Sequence, residues 1–206
     1  LAPTLPPLPE TSPFSVAGLM LIATQFLIGL AMGYTVRLVF HAVEMAGDLI
    51  GVQMGLGFAQ LYDPQNHAQV PVLSQFLVVL ATLVFLAIDG HLQMIDVLAD
   101  SFRVIPMSID PAPLDWREIC ATWGAMVLRA ALMLSLPVIT ALLIANLALG
   151  ILTRAAPQLN MFAVGFPLTL TVGILALLVS LPVFLPQVNQ LLQQATGDVT
   201  SLLRAR

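Results

Sequence analysis

The stretch that decides the fold lies between two strongly apolar runs: GDLIGVQMGLGFAQLYDPQNHAQVPVLSQF, residues 47–76. It places Gly55 and Gly57 close together, and Asp63 and Pro64 follow them with several polar side chains. Glycine permits a positive φ, and an Asp-Pro pair disfavours helix and supports a turn. Irregular backbone at membrane depth leaves polar groups without partners unless protein or a water-filled cavity surrounds them. We therefore predict a short re-entrant or pore-lining loop here, with an ordinary connection outside the membrane as the alternative.

The composition places the chain among membrane proteins. Of its 206 residues, 59% are hydrophobic and only 9% are charged, whereas soluble domains average roughly 45–50% and 25%. The seven basic residues are all arginine, and the formal net charge is -4. A nucleic-acid partner would require a basic face, so we expect no nucleic acid to bind.

Four apolar runs predict long helices, since about 20 apolar residues suffice to cross a bilayer. Pro137 lies inside the third run and should kink it or divide it, because proline removes a helical hydrogen bond and clashes with the preceding turn. The predicted fold is an all-α membrane protein with long, kinked and partly discontinuous helices, in a single domain that covers residues 1–206. The runs cover residues 14–50, 70–88, 119–150 and 161–185.

Charged side chains form a stripe in the second half of the first run. Arg37, His41, Glu44 and Asp48 follow one another at steps of four, three and four, which places them within a narrow arc of a helix. Ionisable groups in a membrane normally pair with each other or face a protein interior. We therefore predict a seam of ion pairs that contacts another subunit. Metal ligation by His41, Glu44 and Asp48 is the alternative, although Arg37 already supplies a counter-charge.

A second stripe follows the second apolar run. Asp89, Gln93, Asp96, Asp100 and Arg103 repeat at steps of four, three, four and three, while the residues between them stay largely apolar. This pattern predicts an amphipathic helix. Its polar face is either a contact surface for neighbouring subunits or simply solvated outside the membrane.

A second polar interruption covers residues 153–160, between the third and fourth apolar runs. Pro157 and Asn160 predict a tight, buried turn. Arg154 in such a turn requires acceptors, which the free carbonyl groups at the preceding helix end would provide. We therefore add Arg154 to the residues expected in subunit contacts.

Three parts of the chain carry distinctive motifs. They are residues 53–59, Asp63 with Pro64, and residues 71–73, then residues 101–103 with Pro106, and residues 153–160 with Phe162, Gly165, Phe166 and Pro167. These motifs resemble the FliR family, the R-type subunits of the flagellar type III export gate. The resemblance covers nearly the whole chain. It departs at the front, because the family begins with an additional hydrophobic region and this chain opens at Leu1, on what resembles the tail of that region.

The resemblance implies a role and partners that composition and spacing do not supply. A FliR-like subunit joins P-type (FliP) and Q-type (FliQ) subunits in a helical, closed assembly that FlhB contacts. The assembly conducts unfolded flagellar export substrates, lies in the bacterial inner membrane within the flagellar basal body, and contacts membrane lipid. The family's loop that matches residues 55–66 plugs the closed pore. The pore-plug residues carried over are Met54, Gly55, Leu56, Gly57, Phe58, Asp63 and Pro64.

Other classes of function are weaker. No nucleophile and base constellation is visible, so we expect no enzyme activity, no catalytic residue, no metal and no cofactor. A small-solute carrier would suit the broken helices, but carriers usually show two matching halves and no repeat is visible here. The homologous subunit of a virulence injectisome remains the principal alternative to a flagellar gate.

Overall fold

The computed structural model describes residues 12, 14–58, 71–104, 116–156 and 161–204, and all regular structure in these ranges is helical. The all-α prediction is therefore confirmed. Side chains are described in these ranges except at residues 58, 103–104, 116–122, 161–163 and 198–204. The helices are α1 (Val16–Gln53), α2 (Val72–Ala87), α3 (Gly90–Val104), α4 (Trp116–Ala155) and α5 (Met161–Arg204), with a short 3₁₀ turn, Leu56–Phe58, after α1.

Helix α1 is the centre of the fold. It begins at Ser15, whose hydroxyl oxygen accepts a 3.1 Å hydrogen bond from the backbone N–H of Gly18 and so satisfies one free donor of the first turn. Its 38 residues extend roughly 57 Å, well beyond the hydrocarbon thickness of a bilayer. Helices α2, α4 and α5 all pack against it.

One apolar core joins these four helices. The side chains of α1 that enter it recur every three or four residues, because that spacing repeats on one face of a helix. Helix α4 contributes residues at the same spacing, and α5 contributes the largest aromatic member, Phe184. The fully assembled core contains Val39, Val43, Ala46, Ile50, Met54, Leu77, Ala81, Leu134, Val138, Leu142, Leu177, Phe184, Val188, Leu192 and Ala195.

Within the ranges that the structure describes, three helices are long and apolar enough to cross a membrane: α1, the 123–155 part of α4 and the 164–197 part of α5. Helices α2 and α3 form a fourth candidate, bent by 64° at their junction. The bend lies at Asp89, which has φ 54°, a left-handed conformation that aspartate tolerates better than most residues. At Gly90 a β-carbon would collide with the ring of Phe85, so only glycine fits there.

The structure settles two points of helix continuity. Helix α4 runs unbroken past Pro137, so of the two predicted outcomes the division is wrong and the kink stays a prediction. Helix α1 continues three residues beyond the first apolar run, to Gln53, and the irregular backbone begins at Met54. Neighbouring helices and Ser or Thr hydroxyl groups can compensate a proline within a membrane helix. Pro137 lies beside Ser135, which is fully buried, and Val138, which packs in the core.

Candidate functional site: the turn after the first helix

Helix α1 ends in a glycine turn. The backbone N–H of Met54 still bonds to the carbonyl oxygen of Ile50 at 2.9 Å, and that of Gly55 bonds to Val52 at 3.0 Å. Gly55 has φ 83°, the left-handed conformation that ends many helices and that favours glycine. The 3₁₀ turn then redirects the chain away from the axis of α1. Of the two glycines in the turn, Gly55 has a positive φ and Gly57 does not.

Met54 anchors this turn to α5. Its side chain is 3% exposed and belongs to the apolar core. The hydroxyl of Thr169 lies 3.1 Å from the carbonyl oxygen of Met54 and 3.0 Å from that of Phe166, and its one proton is shared between these two acceptors. At Gly173, one helical turn further along α5, a β-carbon would lie 2.6 Å from the Cγ and 2.8 Å from the Sδ of Met54. The side chain of Met54 therefore occupies the space that a side chain at position 173 would fill.

The remainder of the turn is held far less tightly. Leu56 is 37% exposed, and a β-carbon on Gly57 would meet nothing within 4 Å. The predicted positions Asp63 and Pro64, and the side chain of Phe58, lie outside the described residues. Within the described part, the turn thus has one fixed end at Met54 and one exposed end from Leu56 onward.

The charged stripe of α1 lies on the outside of the four-helix core. Arg37, Glu44 and Asp48 are exposed, and His41 is half-buried. The Nδ1 atom of His41 lies 3.2 Å from a carboxylate oxygen of Glu44. Within the described ranges, no ion pair joins Arg37 to a carboxylate and no group of three or more His, Cys, Asp or Glu side chains has the arrangement of a metal site. The predicted contact with another subunit stays a prediction.

Asp48 fastens α1 to α2. Its carboxylate oxygen accepts a hydrogen bond from the hydroxyl of Ser74, which is 1% exposed. The two helices can approach because Gly47 has no side chain. A β-carbon there would lie 2.5 Å from the Cα and 2.9 Å from the backbone N of Ser74. Asp48 therefore has a role inside this chain, which the predicted intersubunit seam did not include.

The second predicted stripe follows the outer side of α3. Asp89, Asp96 and Asp100 are exposed, whereas the side chain of Arg103 lies outside the described residues. Gln93 turns back and donates a 2.9 Å hydrogen bond from its amide nitrogen to the carbonyl of Ile88, which supports the bend between α2 and α3. The described part of the stripe, from Asp89 to Asp100, is exposed within this chain. Its predicted contact with another subunit stays a prediction.

Arg154 differs from the expectation of a buried turn. Helix α4 continues to Ala155, so Arg154 lies in its last helical turn and not in the connection that follows. Its side chain is exposed. A cation in that position interacts favourably with the free carbonyl groups of the helix end. Residues 157–160, which include Pro157 and Asn160, lie outside the described residues.

The residues that hold the turn and the adjoining helix in place were not predicted from the sequence. Thr169 supplies a hydroxyl donor and Gly173 leaves space for the side chain of Met54. The two residues are four positions apart in an otherwise apolar helix. Gly47 and Ser74 are equally inconspicuous. The one available signal was the presence of small residues within long apolar helices, which is typical of close helix approaches in membranes.

Comparison with known proteins gives a consistent result across the chain. The model of a family described as bacterial export proteins, family 1, matches residues 1–195. The flagellar biosynthetic protein FliR of Pectobacterium carotovorum subsp. carotovorum is 48% identical over 203 residues, 98% of this chain and 77% of the relative. FliR of Escherichia coli (strain K12) is 44% identical over 186 residues, 90% of this chain and 71% of the relative.

A relative that is not named as a flagellar protein is also similar. The surface presentation of antigens protein SpaR of Salmonella typhimurium (strain LT2) is 33% identical over 193 residues, which cover 91% of this chain and 72% of that protein. Its identity is lower than that of the two flagellar relatives above.

Proposed function

Since this chain belongs to the bacterial export proteins, family 1, we propose that it acts as a subunit of the flagellar type III protein export gate. The observation that carries the proposal is the similarity to flagellar relatives over nearly the whole chain, at 48% and 44% identity. The family match over residues 1–195 contains the turn after α1 and both charged stripes. The higher identity to flagellar relatives favours a flagellar gate over an injectisome gate.

The exposed surfaces support a multi-chain assembly. Only 22–28% of the residues in each spanning window are buried within this chain, so most of these helix surfaces are left for lipid or other proteins. Arg37, Glu44 and Asp48 are exposed on one spanning helix. Charged side chains that face lipid are costly, by about 2.5–3.5 kcal/mol or more at the bilayer centre. A neighbouring subunit that covers the α1 stripe removes this cost.

P-type and Q-type subunits and the switch protein FlhB are the proposed partners. They would contact the stripe of α1 and the stripe of α3, together with Arg154 at the end of α4. The assembly would lie in the bacterial inner membrane, within the flagellar basal body, and pass unfolded flagellar proteins. In this account the chain contributes a wall and a seal, and it carries out no chemical reaction.

The turn after α1 is the proposed seal. Leu56 and Phe58 would narrow the closed pore with apolar side chains, since an apolar constriction excludes water and ions. Met54 would hold the turn shut by its contact with Gly173 and its bond from Thr169. Methionine suits a contact that must release, because its unbranched side chain adapts to different surroundings. Gly55 would supply the backbone freedom for the turn to swing aside.

Purification of the chain together with P-type and Q-type subunits tests the proposal. The chain is expressed with tagged P-type and Q-type flagellar subunits, extracted in mild detergent and analysed by native mass spectrometry. A stable complex that contains all three kinds of subunit is the expected result. A monomer or dimer that binds a small solute would contradict the proposal and favour a carrier. Selective assembly with injectisome subunits instead of flagellar ones would contradict the flagellar assignment alone.

A further inference from the structure

A groove lies between α4 and α5, on the opposite end of this helix pair from their connection. Its volume is about 510 Å³. We call it the Arg129 groove. It is lined by Arg129, Gln187, Gln190 and Gln194, with an apolar wall that includes Met126 and Leu191.

Arg129 has an unusual setting for a membrane helix. From Ile119 to Gly197 the sequence contains no Asp or Glu, and its only charged residues are Arg129 and Arg154. Glu118 and Asp198 flank this stretch, and their side chains lie outside the described residues. Among the described side chains, no carboxylate forms an ion pair with Arg129. A cation at a membrane normally pairs with an anion or reaches the headgroups, so the guanidinium is suited to an anionic partner.

The depth of the groove places it where the hydrocarbon ends. Helix α4 carries no charged residue between Arg129 and Arg154, and α5 carries no charged or amide side chain from Met161 to Pro186. Twenty-five helical residues rise roughly 38 Å, which exceeds the hydrocarbon thickness of about 30 Å. The two helices therefore leave the hydrocarbon at the same end, and Arg129 and Gln187 mark that level on each of them.

The chemistry of the lining fits one class of ligand. A guanidinium donates charge-assisted hydrogen bonds to phosphate oxygens, and each glutamine amide adds two further donors. The adjacent wall of methionine and leucine would pack against glycerol and the first part of an acyl chain. Basic pockets between membrane helices commonly receive anionic headgroups. We propose that the Arg129 groove binds the phosphate headgroup of an anionic phospholipid of the phosphatidylglycerol type.

A matched pair of arginine variants tests the proposal. The protein is purified in mild detergent, stripped of lipid and titrated with phosphatidylglycerol or phosphatidylcholine, and bound lipid is counted by native mass spectrometry. The wild type is expected to prefer phosphatidylglycerol about fivefold. Arg129→Gln should lose this preference and Arg129→Lys should retain most of it. Arg154→Gln, which removes the charge at the other end of the same helix, should leave the preference unchanged.

Four outcomes would overturn the proposal. The first is a retained preference in Arg129→Gln, and the second is an equal loss in Arg154→Gln, which would indicate a general effect of charge. The third is full competition by inorganic phosphate, which would indicate a site for free anions. The fourth is loss of lipid whenever partner subunits are bound, which would make the groove a protein contact.

Should Arg129→Gln fail to fold, Gln190→Leu keeps the charge and removes one amide. It is expected to weaken phosphatidylglycerol binding, and unchanged binding would again overturn the proposal.

Discussion

The hydroxyl of Thr169 in α5 donates a 3.1 Å hydrogen bond to the carbonyl oxygen of Met54, at the end of α1. These two residues are 115 positions apart in the sequence. The carbonyl of Met54 lies beyond the end of α1, so no backbone N–H of that helix can donate to it. The hydroxyl of Thr169 supplies the donor instead. The contact fixes the inner end of the proposed seal.

Replacing Thr169 by valine is expected to destabilise the protein by about 1–2 kcal/mol, because the buried carbonyl of Met54 loses its donor. The free energy of unfolding in mixed detergent is the measurement. Thr171→Val is the matched control. Thr171 is exposed on the same helix, and its hydroxyl bonds only locally, to the carbonyl of Pro167 at 2.8 Å. Equal stability losses in the two variants would show that the bond to Met54 has no special weight.

Gly173→Ala is expected to destabilise the protein by about 1 kcal/mol, since overlap with Met54 outweighs the better helix propensity of alanine. In a Met54→Ala background, the same substitution should become neutral or stabilising because the overlap is gone. A double-mutant cycle measures this reversal, with an expected coupling of about 0.5–3 kcal/mol. Gly150→Ala, at an exposed position with open space around it, is the control. Additive effects of the Gly173 and Met54 changes would contradict the contact.

Gly47→Ala should separate α1 from α2, because the new β-carbon would meet the backbone of Ser74, which cannot rotate away. The expected loss of stability is about 3 kcal/mol, at the upper end for an overpacked core. Gly33→Ala tests the same change in the same helix where nothing lies within 4 Å, and it should be neutral or slightly stabilising. Similar melting temperatures for both variants would show that α1 and α2 do not approach as closely as described.

Glu44→Lys tests the predicted subunit contact on α1. Glu44 is exposed in the single chain, so the isolated protein should tolerate the change. In the assembled gate the substitution would remove the carboxylate beside His41 and bury a second positive charge in the stripe that carries Arg37, at a cost on the order of 3–5 kcal/mol. Native electrophoresis should therefore show loss of the complex, with Glu44→Gln less affected. Normal assembly of the lysine variant would place the α1 stripe outside every subunit contact.

The helices were predictable from the sequence because long apolar runs have few alternatives in a membrane. The break after α1 was predictable for the same reason, since its glycines interrupt such a run. The sites of closest packing were not predictable. Gly173 meets Met54, and Thr169 bonds to it, only after α5 folds back on α1, and no local pattern records that meeting. Whether Pro137 would kink or divide its helix was likewise not predictable, because the groups that can compensate a proline in a membrane helix are contributed by tertiary structure.

Export by a tethered form tests the central claim that the turn after α1 opens when the gate opens. A β-carbon on Gly173 would lie 2.6 Å from the Cγ of Met54. A cysteine at position 54 would place its Sγ where this Cγ lies. In a disulfide the β-carbon of one cysteine lies about 3 Å from the sulfur of the other, so the two positions are close enough to be bridged. Cysteines are placed at both positions after the natural Cys120 is replaced by serine, with each single-cysteine form as a control. Secretion of a filament subunit is measured under oxidising conditions and again after a reductant. The account predicts that only the double-cysteine form stops exporting and that the reductant restores export. Normal export by the oxidised double-cysteine form would show that the turn is a static connection.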